Sequence, residues 1–236
     1  MRARKLFSIV AIAGGMLVLP VLPAQAAPSG GCPTPPASPV LSLKLNPSTV
    51  RGTAASIVGG TFTLNGCAIS GAKIHVQTRP LVSGKPAGTW KTVATVTTGT
   101  HGGWRTSLAP GHNVRVRSFF SKTGSFPTTF SSVQTLLDAI RITMHPTTPS
   151  GCKIHLTGAT TPVQANRRVY IQSRGPQGHF QGWTNVGTSK THSDGTYSTT
   201  AVANCATTYN LRVFMYGDST HAAGHSATTF GIKPHH

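Results

Sequence analysis

Lys73-Ile74-His75-Val76-Gln77-Thr78-Arg79 and Arg168-Val169-Tyr170-Ile171-Gln172-Ser173-Arg174 carry one pattern twice: a cation, then apolar and polar residues in alternation, then an arginine. Alternation with a period of two sends successive side chains to opposite faces of a β-strand, so Ile74 and Val76, like Val169 and Ile171, face a core. Three more blocks recur in the same order around this one. Leu41-x-Leu43-x-Leu45-Asn46-Pro47 returns as Ile140-x-Ile142-x-Met144-His145-Pro146, the stretch from Trp90 to Trp104 returns as Trp183 to Tyr197, and Asn113-Val114-Arg115-Val116 returns as Asn210-Leu211-Arg212-Val213. A period of about 93 to 99 residues is too long for a solenoid unit and has the size of an independent β-sandwich domain.

Each copy contains about seven short alternating runs bounded by turn signals such as Asn166, Ser193-Asp194-Gly195 and Gly217-Asp218-Ser219. The runs lie near 40–46, 58–64, 72–78, 89–96, 103–108, 112–120 and 127–136 in the first copy. In the second they lie near 139–145, 152–158, 167–173, 182–189, 195–202, 208–216 and 225–232. No window carries a helical stripe. The expected fold is all-β, with two tandem immunoglobulin-like or fibronectin III-like antiparallel β-sandwich domains at residues 40–137 and 138–234. On the same alternation, Trp90 and Trp183 are expected to pack between the sheets.

The second copy carries Gly158, a strand ending Gln172-Ser173-Arg174, Gly182-Trp183, Thr191-x-x-Asp194-Gly195-Thr196-Tyr197-Ser198, Tyr209-x-Leu211-Arg212-Val213 and Tyr216-Gly217-Asp218. This order is similar to tandem immunoglobulin-like repeats of secreted actinobacterial proteins. The first copy departs from it: Trp104 stands for the tyrosine, His101-Gly102 for the Asp-Gly turn, and no Gly-Asp follows Phe119-Phe120. The resemblance implies spacer or binding modules, and a sandwich hosts many unrelated activities. A specialised role is expected in the first copy or at the junction rather than in the regular second copy.

Arg2, Arg4 and Lys5 precede an apolar stretch from Leu6 to Leu22, and Ala24-Gln25-Ala26 follows with small residues suited to signal peptidase. Residues 1–26 are therefore expected to be a signal peptide, with 27–39 a proline-rich leader. No later segment approaches the ~18 apolar residues of a membrane span, so the mature protein is expected to be secreted, extracellular and monomeric. Cysteines in such a chain form disulfides by default, and the domain boundaries favour Cys32 with Cys67 and Cys152 with Cys205; two other pairings stay formally open. No Cys-x-x-Cys spacing points to zinc, and no cofactor is expected.

The chain has 21 Lys and Arg against 3 acidic residues, a formal charge of +18 that falls to +15 without Arg2, Arg4 and Lys5. A soluble surface normally mixes signs, so this imbalance points to an anionic partner. Lys73, Arg115, Arg117, Arg141, Lys153 and Arg168 alternate with apolar residues, which places them on solvent faces as candidate polymer-binding cations. The expected partner is an anionic cell-wall polymer or acidic polysaccharide, with cell-wall association through charge. Nucleic acid is expected to bind only non-specifically, because no recognition motif accompanies the charge.

Catalytic chemistry has little to work with. Glycoside hydrolysis usually needs paired carboxylates, whereas this chain has no Glu and only Asp138, Asp194 and Asp218, well separated. The same scarcity argues against a calcium cage. No Gly-x-Ser-x-Gly elbow marks a nucleophile, and no catalytic residue is assigned. His221, His225, His235 and His236 offer at most weak transition-metal binding. The sequence thus describes a non-catalytic secreted module for adhesion, scaffolding or anionic-polymer binding. The alternative is a carbohydrate-binding accessory protein using exposed aromatics such as Tyr170 or Phe180, and a secreted hydrolase is the remote one.

Overall fold

The computed structural model describes residues 38–124, 126–174 and 182–235. The expected signal peptide, most of the leader, Cys32, Phe180 and His236 lie outside the described residues. Every regular element among the described residues is a strand. No described helix is long and apolar enough to cross a membrane.

In the first copy, Ser56–Leu64 lies at the centre of one sheet, with Pro39–Leu41 and Lys44–Asn46 along one side and Gly103–Leu108 along the other. The facing sheet runs Thr49–Arg51, Gln134–Ala139, Val114–Phe120, Lys73–Val82, Lys91–Thr97. In the second copy, Lys153–Thr161 lies between Thr196–Val202 and the pair Arg141–Ile142 and His145–Thr147. Its facing sheet runs Thr184–Lys190, Arg168–Arg174, Tyr209–Met215, with Gly224–His225 and Thr229–Ile232 beyond. The chain is thus two antiparallel β-sandwiches in tandem, the all-β class expected from the sequence.

Two expected runs are interrupted, each at the same place in both copies. The run at 40–46 breaks where the Ser42 N–H donates to Thr61 O at 2.9 Å while Ser42 Oγ accepts from the Thr61 N–H at 2.8 Å. Thr143 and Ala159 repeat this exchange at 2.9 Å and 2.9 Å. The kink presses a carbonyl onto the neighbouring strand, where a Cβ on Gly60 would lie 2.1 Å from Ser42 O and one on Gly158 2.1 Å from Thr143 O. Glycine is therefore required at both sites. The last run of each copy breaks where a serine hydroxyl replaces a ladder carbonyl: Ser131 Oγ accepts from the Ser118 N–H, and Ser226 Oγ from the Val213 N–H, each at 2.9 Å. Thr49–Arg51, which pairs in parallel with the end of Gln134–Ala139, was not expected.

Inward positions of the alternating strands supply the cores. Ile74, Val76, Val116 and Leu136 are fully buried against Val58 and Phe62 in the first copy. The second holds two smaller clusters, around Ile140, Val169 and Met215 and around Ile154, Leu156 and Ile171, with Met144 packed against both. Tyr197 closes the former: its hydroxyl donates to Thr143 O at 2.6 Å, and burial pushes the phenol's pKa up. Trp104 occupies the corresponding place in the first copy, buried, its indole N–H without a partner. Cys152 and Cys205 form a disulfide across 53 residues of sequence, a closure that stabilises by about 4 kcal/mol in the chain-entropy model. Cys67 is also disulfide-bonded.

The copies meet through a loop that Asp218 organises. Its Oδ1 accepts from the N–H groups of Thr220 and His221 at 2.7 Å each, and its Oδ2 from Arg167 at 2.8 Å. Burial raises the Asp218 pKa, but the backbone and hydroxyl hydrogen bonds of Thr220, the His221 N–H and the His221 charge outweigh it and hold the carboxyl below its ordinary range. The loop so shaped reaches the first copy through backbone bonds from Ser83 N to Ser219 O and Asn113 N to Thr220 O, both 2.6 Å. His221 lies 3.1 Å from Asp218 through Nδ1 and 3.1 Å from Gly111 O through Nε2. Beneath the loop, Asp138 continues the inward face begun by Leu136 and is fully buried, both carboxylate oxygens lacking a hydrogen-bond partner. Burial raises its pKa, while the charges of His221 and His112 pull it back.

Replacing Tyr197 by Phe removes the bond to Thr143 O and lowers the unfolding free energy by about 1 kcal/mol, measurable by urea denaturation. Because the Asp138 pKa is raised in the folded state, the folded protein binds more protons than the unfolded one at pH values between the unfolded and folded pKa. Stability from this group is full in acid and falls as pH rises through the window between the unfolded and folded pKa values. Asp138→Asn, which mimics the neutral acid, is expected to raise stability at pH 7 by about 1–2 kcal/mol, with the gain vanishing toward acid. Thermal melts of both proteins across pH check this.

Candidate anion-binding faces

The sequence expectation for Trp90 and Trp183 fails for a local reason. Along Lys91–Thr97 the register skips between Val76 and Gln77: Val76 faces Ala94, but Gln77 faces Thr92, leaving Val93 as an extra residue. The same bulge recurs where Ile171 faces Gly187 and Gln172 faces Asn185, leaving Val186 extra. One inserted residue reverses the parity of everything before it. Trp90 and Trp183, which unbroken alternation would turn inward, stand instead on the outer faces, half-buried.

There each indole meets an arginine. The Arg117 guanidinium lies 4.3 Å from the centre of the Trp90 ring, and its Nε donates to Gln77 Oε1 at 2.9 Å. Arg212 lies 4.2 Å from Trp183, and its Nε donates to Gln172 Oε1 at 2.8 Å. The glutamines are held in turn, Gln77 by Thr92 at 3.3 Å and Gln172 by Asn185 at 3.0 Å. These Trp-Arg-Gln platforms make Arg212 the counterpart of Arg117, so the block matched as Asn113 with Asn210 in the sequence is shifted by two residues. In the first copy the same guanidinium also lies 4.7 Å from the centre of the Phe130 ring, and the row continues through Phe119 to His75. Burial lowers the pKa of both arginines, and the charge of Arg79 lowers that of Arg117 further.

Of the six cations singled out in the sequence, Lys73, Arg115 and Arg117 share the outer face of the first copy's larger sheet, and Arg168 lies on the corresponding face of the second. Arg141 and Lys153 lie on the second copy's other sheet. Arg141 also lines a cleft of about 520 Å³ between the copies, with Arg51, His145 and His225. Sequence reading missed Arg79, which lies directly across from Arg115. Its place at the end of the repeated strand pattern was the available signal.

The acids are committed elsewhere. Asp138 is buried and Asp218 shapes the junction loop, while Asp194 accepts from the Thr196 N–H at 2.9 Å and hydroxyl at 2.7 Å, bonds that hold its pKa down. Ser198 and His155 approach to 3.5 Å, but the other ring nitrogen of His155 meets Thr200 rather than a carboxylate. His221 has its carboxylate, yet its remaining nitrogen is directed to Gly111 O. His225 is held between Arg51 and Ser226 O. Among the described residues no three metal-ligating side chains converge.

No family model and no curated relative matches the chain. Among solved structures it is similar to the D0-D1 domain of intimin, at 15% identity and a TM-score of 0.30, covering 81% of this chain and 97% of that one. It is similar also to red sea bream transglutaminase, at 15% identity and TM-score 0.37 over 82% of this chain and 31% of that one. The human OSCAR ligand-binding domain follows at 12% identity and TM-score 0.29, over 82% and 99%. Likeness at this level carries no inference about activity or partner, and the fold rests on the sheets themselves.

Proposed function

We propose that the protein is a non-catalytic, secreted binding module for anionic polymers of the cell envelope, engaging them through the cationic outer faces of its sheets. The observation behind this reading is the pairing of guanidinium with indole and amide at the same place in both copies, on a chain with 21 cations and 3 acids. Asp138 is buried, Asp194 is held by its turn and Asp218 is paired with Arg167, so the described cations of the outer faces have no carboxylate partner. An arginine held over a ring and bonded through Nε has less conformational freedom to lose on binding and keeps its terminal N–H donors for an oxyanion.

The alternative use of Trp90 and Trp183 as bare stacking platforms for neutral sugars is disfavoured because a guanidinium already lies over each ring. A hydrolase is disfavoured because Ser198, His155 and the carboxylates do not assemble into a nucleophile, base and orienting acid.

The protein is expected to bind polygalacturonate or polyphosphate at low salt and to release either by ~0.5 M NaCl, where the Debye length falls to a few ångströms. Neutral polysaccharide is expected not to bind. Replacing both Arg117 and Arg212 by Gln should weaken retention on the anionic polymers about tenfold, measured by co-sedimentation. Retention that is indifferent to salt overturns the reading.

A further inference from the structure

The two platforms are alike, but the residues beside them are not. In the first copy Arg79 faces Arg115 directly across the ladder, whereas the equivalent positions of the second copy pair Arg174 with Asn210. Like charges directly opposite each other on one face of a sheet are destabilising. The pair is also crowded by a third cation: Arg117, in contact with Trp90 and Phe130, lies on the same strand face two residues from Arg115 and feels the charge of Arg79. No carboxylate relieves them, because the three acids are engaged elsewhere. Moreover, the Nε of Arg79 is shielded from solvent and has no hydrogen-bond partner. Among the described residues, Arg115 and the terminal nitrogens of Arg117 likewise meet no protein acceptor.

Three guanidiniums sharing one face, one with a shielded donor and another fixed in place, are repulsive alone and complementary to a multivalent oxyanion. A carboxylate brings two oxygens, fewer than three arginine forks can engage. A phosphate group brings more oxygens and more charge. We propose that Arg79, Arg115 and Arg117 form a phosphate-binding site of the first copy. The site rests on the anionic-polymer reading and narrows it, the bound chemistry being the phosphate groups of the polymer. The second copy, with Asn210 in place of one arginine, lacks the site and serves as a weaker general cationic face.

The test uses the disulfide-bonded mature protein, inorganic phosphate and acetate at constant ionic strength, read by thermal shift and by calorimetric titration. Phosphate is expected to raise the melting temperature and acetate not to. Arg115→Asn, which copies the second copy's pairing, is expected to melt higher than wild type without phosphate and to bind phosphate at least about tenfold more weakly. Arg79→Gln should show the same loss. An undiminished phosphate response in both variants, or an equal response to acetate, overturns the site. Polyphosphate retention distinguishes the levels of the proposal. If both variants lose phosphate binding yet retain the polymer as wild type does, the polymer is not held here and the proposal falls, while the general reading stands. If wild type binds phosphate but no anionic polymer, the general reading falls and with it the polymer as the source of the phosphate, leaving a site for free phosphate.

Discussion

A folded protein ordinarily neutralises most of its surface arginines with nearby carboxylates, and this chain has almost none to offer. With 21 cations and 3 acids, other groups must hold the guanidiniums in place. The sheets do so with aromatic faces and side-chain amides. Trp90 and Trp183 provide the quadrupole of an indole, Gln77 and Gln172 accept one N–H each, and the β-bulges that follow the tryptophans, at Val93 and Val186, turn them outward. Such contacts orient a cation without cancelling its charge, unlike a salt bridge. The outer faces are therefore ordered and remain positive.

The carboxylates are used where charge is least replaceable. Asp218 gathers backbone N–H groups and Arg167 to give the junction loop one shape, and Asp194 does the same for a hairpin. Asp138 is the exception, its carboxylate buried without a hydrogen-bond partner at the meeting of the copies, where burial raises its pKa. The junction therefore holds two carboxyls shifted in opposite directions, Asp138 upward and Asp218 downward, whereas the aliphatic side chains of the sandwich cores do not titrate.

Strand alternation made the fold legible, because parity is preserved wherever the ladder is regular: Ile74, Val76, Val169 and Ile171 are buried as their spacing requires. Legibility ended at each insertion. A single extra residue at Val93 and Val186 reversed the tryptophans, and the breaks at Ser42 and Ser131 split runs that read as continuous. The site cations on the repeated strands were visible from sequence, since exposed parity and charge coincide. Their mutual arrangement was not. Arg79 and Arg115 are far apart in sequence, and only the register between their strands reveals that they face each other, just as it corrects the counterpart of Arg212 from Arg115 to Arg117.

The loop from Asp218 to Ala222 makes the two copies unequal at their meeting. It acts as a plug on the second copy, and its socket, formed by Ser83, Gly111 and Asn113, belongs to the first. The first copy has no Gly-Asp after Phe119-Phe120 with which to form a plug, and the second has Thr208 where the first has Asn113, whose Oδ1 accepts from the Asp138 N–H. The two halves present complementary ends. The contact therefore has a polarity: exchanging the order of the copies, or repeating either one, would not recreate it. Although the sandwiches share one pattern, the contact between them is a single asymmetric fit, and the pair is matched and not a length of interchangeable beads.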